Sequence, residues 1–211
     1  MLISSLSQSK KIFSLTLTLF FILLSLLQNS AYSSNENSIK SLDKSSSKSL
    51  NVLEESVIEE YTATCGSYRF INKYLRLDMP QLIFDKMLLP LMDSALEKIT
   101  AYKGIAYRGA ELPFEEEKDL FSKKPGDLYY DKAYLSSSKS EKVGKRYSGK
   151  NGVLFIIESS NGGDLEKAGL GNSNGTEFEV LFARGTKFLI ESIDPQKKIV
   201  KMIEVTPQLS K

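Results

Sequence analysis

The residues best spaced for chemistry lie in Gly175-Thr176-Glu177-Phe178-Glu179-Val180-Leu181-Phe182. As a strand, this stretch sends Phe178, Val180 and Phe182 into a core and turns Glu177 and Glu179 together to the opposite face. Two carboxylates held so close raise the pKa of one of them, which would divide acid and base roles between the pair. An edge strand with acidic gatekeepers gives the same pattern. Upstream, Ala133-Tyr134-Leu135-Ser136-Ser137-Ser138 sets a hydroxyl cluster after an aromatic strand. Such serine runs commonly make turns or caps. The chemical reading is a serine that holds another catalytic group by a hydrogen bond. In Ala106-Tyr107-Arg108-Gly109, alternation separates Tyr107 from Arg108. That arginine is either a solvated strand residue or a guanidinium that forks onto phosphate.

The composition removes most other chemistries. In 211 residues there is no histidine and one cysteine, Cys65. Histidine triads and histidine metal sites are excluded, and serine has no imidazole to activate it as a nucleophile. One cysteine forms neither an internal disulfide nor a multi-thiolate metal site, which leaves a free thiol or an intermolecular bridge open, and Cys65 reads as a small buried hydrophobe sooner than a nucleophile. Catalysis must then use carboxylates, hydroxyls, arginine, lysine or tyrosine.

The elements that must position these groups begin after a leader. Lys10 and Lys11 precede an apolar run from Ile12 to Leu27, with small residues around Ala31. This reads as a secretory signal, residues 1–31, cut near Ala31 or Ser33. The run falls short of the about 20 residues a membrane span needs. The alternative is an uncleaved anchor; cleavage implies a secreted protein with no stable membrane association. Residues 32–49, rich in Ser, Asn and Lys, form a flexible leader. Residues 50–211 are enough for a single domain. The net charge of +2 equals the two signal lysines, so the mature chain is near neutral and has no electrostatic footprint for nucleic acid.

Apolar spacing predicts a helix over Leu50–Thr64, a second capped by Ser67, and a third from Gln81 to Thr100 with a kink at Pro90. From Gly104 on, strands are expected at Ile105–Arg108, Asp127–Leu135, Val153–Glu158, Phe178–Phe182, Lys187–Ser192 and Ile199–Val205. Helices followed by strands indicate an α+β domain with a mostly antiparallel β core.

In this order, the arginine strand, the serine triplet and the Glu-x-Glu strand resemble the Arg-Ser-Glu class of bacterial ADP-ribosyltransferase exotoxins, including the enzymatic components of clostridial actin-modifying binary toxins. Ser67-Tyr68-Arg69-Phe70-Ile71-Asn72-Lys73-Tyr74-Leu75-Arg76 is similar to that family's helix, with Tyr68 and Asn72 four residues apart. Gly152-Val153-Leu154-Phe155-Ile156 and Arg184-Gly185-Thr186-Lys187-Phe188 extend the likeness, which runs from about Leu50 to Val205.

The resemblance implies an ADP-ribosyltransferase-like fold with a two-sheet β core and an NAD cleft, and NAD+ as co-substrate without a metal. By it, Arg108 anchors an NAD+ phosphate while Tyr68 and Asn72 close over the cofactor. Ser136 holds Glu179, which grips the nicotinamide ribose hydroxyl and stabilises the oxocarbenium-like transition state. Tyr147 falls where the family places an aromatic beside the nicotinamide. Lys150, with Arg146 nearby, stands where the family often has a second phosphate-binding arginine, and lysine neutralises phosphate without forking onto it.

Glutamate at the Glu177 position goes with arginine acceptors in this family, because a carboxylate can orient and deprotonate a guanidinium. Asn174 replaces an aromatic that many relatives use to contact the target. The implied partners are a target protein bearing an acceptor arginine, actin among the candidates, and a separate delivery component. Two rival readings are an NAD+ glycohydrolase of the same fold and a secreted, non-catalytic adhesin.

Overall fold

The computed structural model describes residues 49–63, 67–77, 87–170 and 177–205. The expected signal peptide, the leader up to residue 48, Cys65 and Asn174 lie outside the described residues. Helix α1 spans Val52–Thr62. Asn51 begins it, its side chain accepting from the Leu53 and Glu54 backbone N–H groups while the Glu54 carboxylate accepts from the Asn51 N–H. This capping box satisfies donors that the first helical turn leaves without partners. The same Glu54 is buried and accepts from Ser94 Oγ (2.6 Å) and Lys98 Nζ (2.8 Å), tying α1 to α3, Leu89–Lys98.

At the start of the second helix the structure differs from expectation. Ser67 is the first residue of α2, Ser67–Arg76, and its hydroxyl donates to the Glu60 carbonyl, so it joins α2 to α1. Residues 87–88 are already helical before α3 begins, and Pro90 stands in the first turn of α3, where a missing N–H costs no hydrogen bond within that helix.

The strands are β1 (Gly104–Ala110), β2 (Leu128–Tyr130), β3 (Leu135–Ser138), β4 (Val153–Ser159), β5 (Gly163–Asp164), β6 (Glu179–Phe182), β7 (Lys187–Asp194) and β8 (Ile199–Glu204). They hydrogen-bond in the order β2-β7-β8-β4-β1-β3-β6-β5, antiparallel except for β4 with β8. Two ladders, β2-β7-β8-β4-β1 and β3-β6-β5, meet at the pair Tyr107↔Ser138. In place of two separate sheets the strands form one eight-stranded sheet, whose two ladders are joined at this narrow seam. Phe155, Ile157, Val180, Phe182, Phe188 and Met202 form its buried centre.

The single strand expected over Asp127–Leu135 is two strands that serve different ladders, β2 on β7 and β3 on β6. Asp131 makes the break. Its Oδ1 accepts from the Ala133 N–H at 3.0 Å, a local turn that competes with strand pairing. Arg76 forks onto the same carboxylate. Burial would raise the Asp131 pKa, but the Arg76 guanidinium and the Ala133 N–H outweigh it and hold it low. Helices α4 (Phe114–Ser122) and α5 (Glu141–Ser148), and the short β5, were not expected. Among the described residues no helix is long and apolar enough to cross a membrane.

Candidate active site

Helix α5 lies directly on β1. A Cβ at Gly109 would stand 2.0 Å from the Ser148 nitrogen and 2.1 Å from the Gly144 carbonyl oxygen, and one at Gly144 would stand 2.7 Å from Tyr107 Cβ. Two glycines thus let helix and strand backbones meet, as no larger residues would. The contact carries Tyr147 to the rim of a cleft of about 630 Å³, and Arg146 to a carboxylate that lines it, Glu177, the volume being within the size range of small-molecule sites. Helices α1 and α2 supply Tyr61, Tyr68 and Asn72 to its wall, β1 supplies Arg108, and β3 supplies Ser136. Glu177 and Glu179 complete it.

Register explains the pairing of Ser136 with Glu179. On β3 and β6, Ser138 faces Glu179 and Ser136 faces Leu181, so Ser136 is the diagonal neighbour of Glu179 on one face. Its hydroxyl donates to Glu179 Oε1 at 2.6 Å. Burial pushes the Glu179 carboxyl up to about 7; the Ser136 hydrogen bond opposes that rise, and the Glu177 charge adds to it. The like-charge effect expected from sequence is present, but loss of solvent is the larger cause. The other serines hold backbone: Ser137 Oγ donates to the Val180 carbonyl at 2.9 Å and Ser138 Oγ to that of Glu177.

Glu177 lies just before β6 and not within it. Phe178, expected in the core, is 42% exposed with φ of 47°, a left-handed conformation that is unusual for a bulky residue. The backbone turns there, and Ser138 anchors the turn through the Glu177 carbonyl. Strand alternation is therefore not what brings the two carboxylates to one cleft. Glu177 Oε1 accepts from the Tyr147 hydroxyl at 2.5 Å and from Arg146 Nη2 at 2.9 Å.

Arg108 Nη1 donates to the Ser136 carbonyl at 2.8 Å, linking the arginine strand to the serine strand. Asn72 is buried, and its Nδ2 donates to the Tyr61 hydroxyl oxygen at 2.9 Å. Tyr61 stacks edge-on against both Tyr68 and Tyr134. Burial raises its hydroxyl pKa, so it is a neutral hub of the wall. Lys150 is exposed beyond α5 and outside the residues that line the cleft. The cations that do line it are Arg69, Arg76 and Arg108. Sequence reasoning missed Ser138 as the Glu177 anchor and the pairing of Arg146 with Glu177. Spacing in a strand carries no signal for either, since both depend on the turn at Phe178 and the seating of α5.

The chain matches the ADP-ribosyltransferase exoenzyme family over residues 31–209. It is 32% identical over 148 residues to Mav of Mycobacterium avium, which carries the name of an NAD(+)–arginine ADP-ribosyltransferase, covering 67% of this chain and 17% of that one. Vis of Vibrio splendidus, similarly named, is 29% identical over 154 residues, with 67% and 59% covered. The chain thus spans less than two thirds of the length of either relative. The solved structure of the Vis toxin superposes with a TM-score of 0.60 at 26% identity over 77% of each chain. The C3 exoenzyme of Clostridium limosum, at 18% identity and a TM-score of 0.55 over 74% of this chain and 87% of its own, shares the fold. With nearly all of the sequence after residue 30 matched, and with that fold, this chain belongs to the ADP-ribosyltransferase exoenzyme family.

Proposed function

We propose that this protein is a mono-ADP-ribosyltransferase that breaks NAD+ at the nicotinamide bond and passes ADP-ribose to an arginine of a target protein. The observation that carries the reading is the 2.6 Å hydrogen bond from Ser136 to the buried Glu179, in a cleft that Glu177 shares. The names of Mav and Vis support the arginine acceptor, as does the Vis structure in complex with agmatine, a guanidinium compound.

The cleft's chemistry suits the dinucleotide. Arginines suit its pyrophosphate, tyrosine rings suit its flat ends, and carboxylates suit its cationic nicotinamide ribose. Arg108 binds a phosphate, and Tyr68 and Asn72 shape the wall over the cofactor. As the bond between C1′ and the nicotinamide nitrogen breaks, its electron pair neutralises the pyridinium and positive charge moves to the ribose. Glu179, fixed by Ser136 and accepting from the ribose hydroxyl, stabilises that charge from a site poor in water. Glu177 orients the acceptor guanidinium, which stays protonated far above neutral pH, and takes its proton as the new C1′–N bond forms. Secretion, actin as the first target to test, and a separate delivery partner are the remaining parts of the proposal. The decisive experiment measures nicotinamide release together with label transfer from NAD+ to agmatine. No release in a folded sample would leave the adhesin reading standing, and release without transfer would leave the glycohydrolase.

Two substitutions probe the cofactor side. Ser136→Ala removes one positioning hydrogen bond, a loss of about 1 to 3 kcal/mol, so turnover should fall less than for changes at Glu179. The lost bond is also the one that lowers the Glu179 pKa. The acidic limb of the rate profile should therefore move to higher pH, and an unmoved limb would show that Ser136 does not act through Glu179. Arg108→Lys keeps the charge and loses the fork. It should raise the Michaelis constant for NAD+ with a smaller change in turnover. An unchanged constant would remove Arg108 from the cofactor site.

A further inference from the structure

We propose that Arg146 is an intramolecular acceptor, so that the protein ADP-ribosylates itself at this residue; the inference rests on the transferase reading above. Arg146 Nη2 stands 2.9 Å from Glu177 Oε1, the place a target guanidinium must occupy if Glu177 is to orient and deprotonate it. The other arginines of the described residues are engaged elsewhere. Arg76 forks onto Asp131, Arg184 onto Asp93, Arg108 donates to the Ser136 carbonyl, and Arg69 donates to the Tyr68 hydroxyl. Arg146 is thus the arginine whose guanidinium meets the acceptor carboxylate.

The position is held from several sides. Arg146 lies in the last turn of α5, whose seat on β1 is fixed by the close approach at Gly109 and Gly144. Its guanidinium carbon stands 5.1 Å from the centre of the Tyr147 ring, and the Tyr147 hydroxyl donates to the same Glu177 oxygen. The side chain is 58% exposed against 20% for Glu177, so the guanidinium sits at the mouth of the cleft with room for a ribose to approach. In the reaction, the bond from C1′ to the nicotinamide nitrogen breaks and its electron pair leaves with neutral nicotinamide. A bond from C1′ to an Nη of Arg146 forms, and the displaced proton passes to Glu177 and then to water. NAD+ is the only co-reactant. The product carries ADP-ribose at the cleft mouth, beside the carboxylate that an external arginine needs, so self-modification should slow transfer to other acceptors.

The test is incubation of the purified full chain with NAD+ and no target protein. Nicotinamide release is followed alongside intact mass, and tandem mass spectrometry locates any ADP-ribosyl group. The expected result is one added group, on Arg146, formed at a fractional rate that does not change with protein concentration. R146K and R146Q should both lose that label and still release nicotinamide, and neither should show the progressive decline in agmatine transfer expected of the unmodified sequence. Release of nicotinamide with no label on Arg146, label that persists elsewhere undiminished in both variants, or a fractional rate proportional to protein concentration would each overturn the proposal and leave the transferase reading intact. Absence of nicotinamide release from folded protein would overturn both.

Discussion

Glu179→Gln should lower the rate of NAD+ cleavage by on the order of 10²- to 10³-fold, the range typical of losing one charge-stabilising group from an active site. Glutamine keeps the size of the side chain and an oxygen that can accept from Ser136 Oγ, so the geometry of the β3–β6 pair survives and the charge alone is lost. Stability gives an internal control. The folded protein raises the carboxyl from 4.5 to about 7, chiefly by burial, and so binds that proton more tightly than the unfolded chain does. The carboxyl is therefore neutral and without cost below the unfolded value, and it costs stability increasingly as pH rises to the folded one, by on the order of 3 kcal/mol. Glutamine never ionises. The variant should melt with the wild type in acid and above it at alkaline pH, while its activity is nearly gone. A folded variant that keeps more than about a third of the wild-type rate, against the loss expected, would remove Glu179 from the chemistry. The wild-type rate should itself rise through a limb near pH 7, because the stabilising form is the carboxylate.

Local patterns reveal the parts of this fold that local physics decides. The apolar spacing of Val57, Ile58 and Tyr61 gives α1, and β4, β7 and β8 follow from β-branched and aromatic runs. What the patterns miss is set by single polar side chains or by backbone contact. Asp131 ends a strand that its flanking residues favour. Helix α5 buries only Val143, Gly144 and Ser148, too little apolar surface to seat it alone, and depends on the glycine contact with β1. The partnership of Ser136 with Glu179 is implied by the resemblance alone, because the register that makes them diagonal neighbours is written in neither strand by itself, and the surroundings of Glu177 follow from the turn at Phe178. The motif names the carboxylate. Only the fold shows which groups hold it.

Glu177→Gln should separate the two halves of the reaction. Transfer to agmatine should fall by on the order of 10²-fold or more, as when a general base is lost, while cleavage of NAD+ with water as acceptor stays within a few fold of wild type. The reason lies in the division of labour across the cleft. Glu179 is buried and bonded to Ser136, so it faces the charge that develops on the ribose. Glu177 sits at the rim with Tyr147 and Arg146, where an incoming guanidinium would arrive. Glutamine can still accept a hydrogen bond from the Tyr147 hydroxyl, and Ser138 still anchors the backbone at the Glu177 carbonyl, so the rim keeps its shape. What it cannot do is take a proton from guanidinium. Removing the Glu177 charge also removes one of the influences that raise the Glu179 pKa, so the acidic limb for cleavage should move to slightly lower pH. Nicotinamide release and agmatine labelling on one sample read both reactions. A proportional fall in the two would assign Glu177 to cleavage and withdraw the support for an arginine acceptor. No change in either would place the acceptor chemistry elsewhere and raise the glycohydrolase above the transferase.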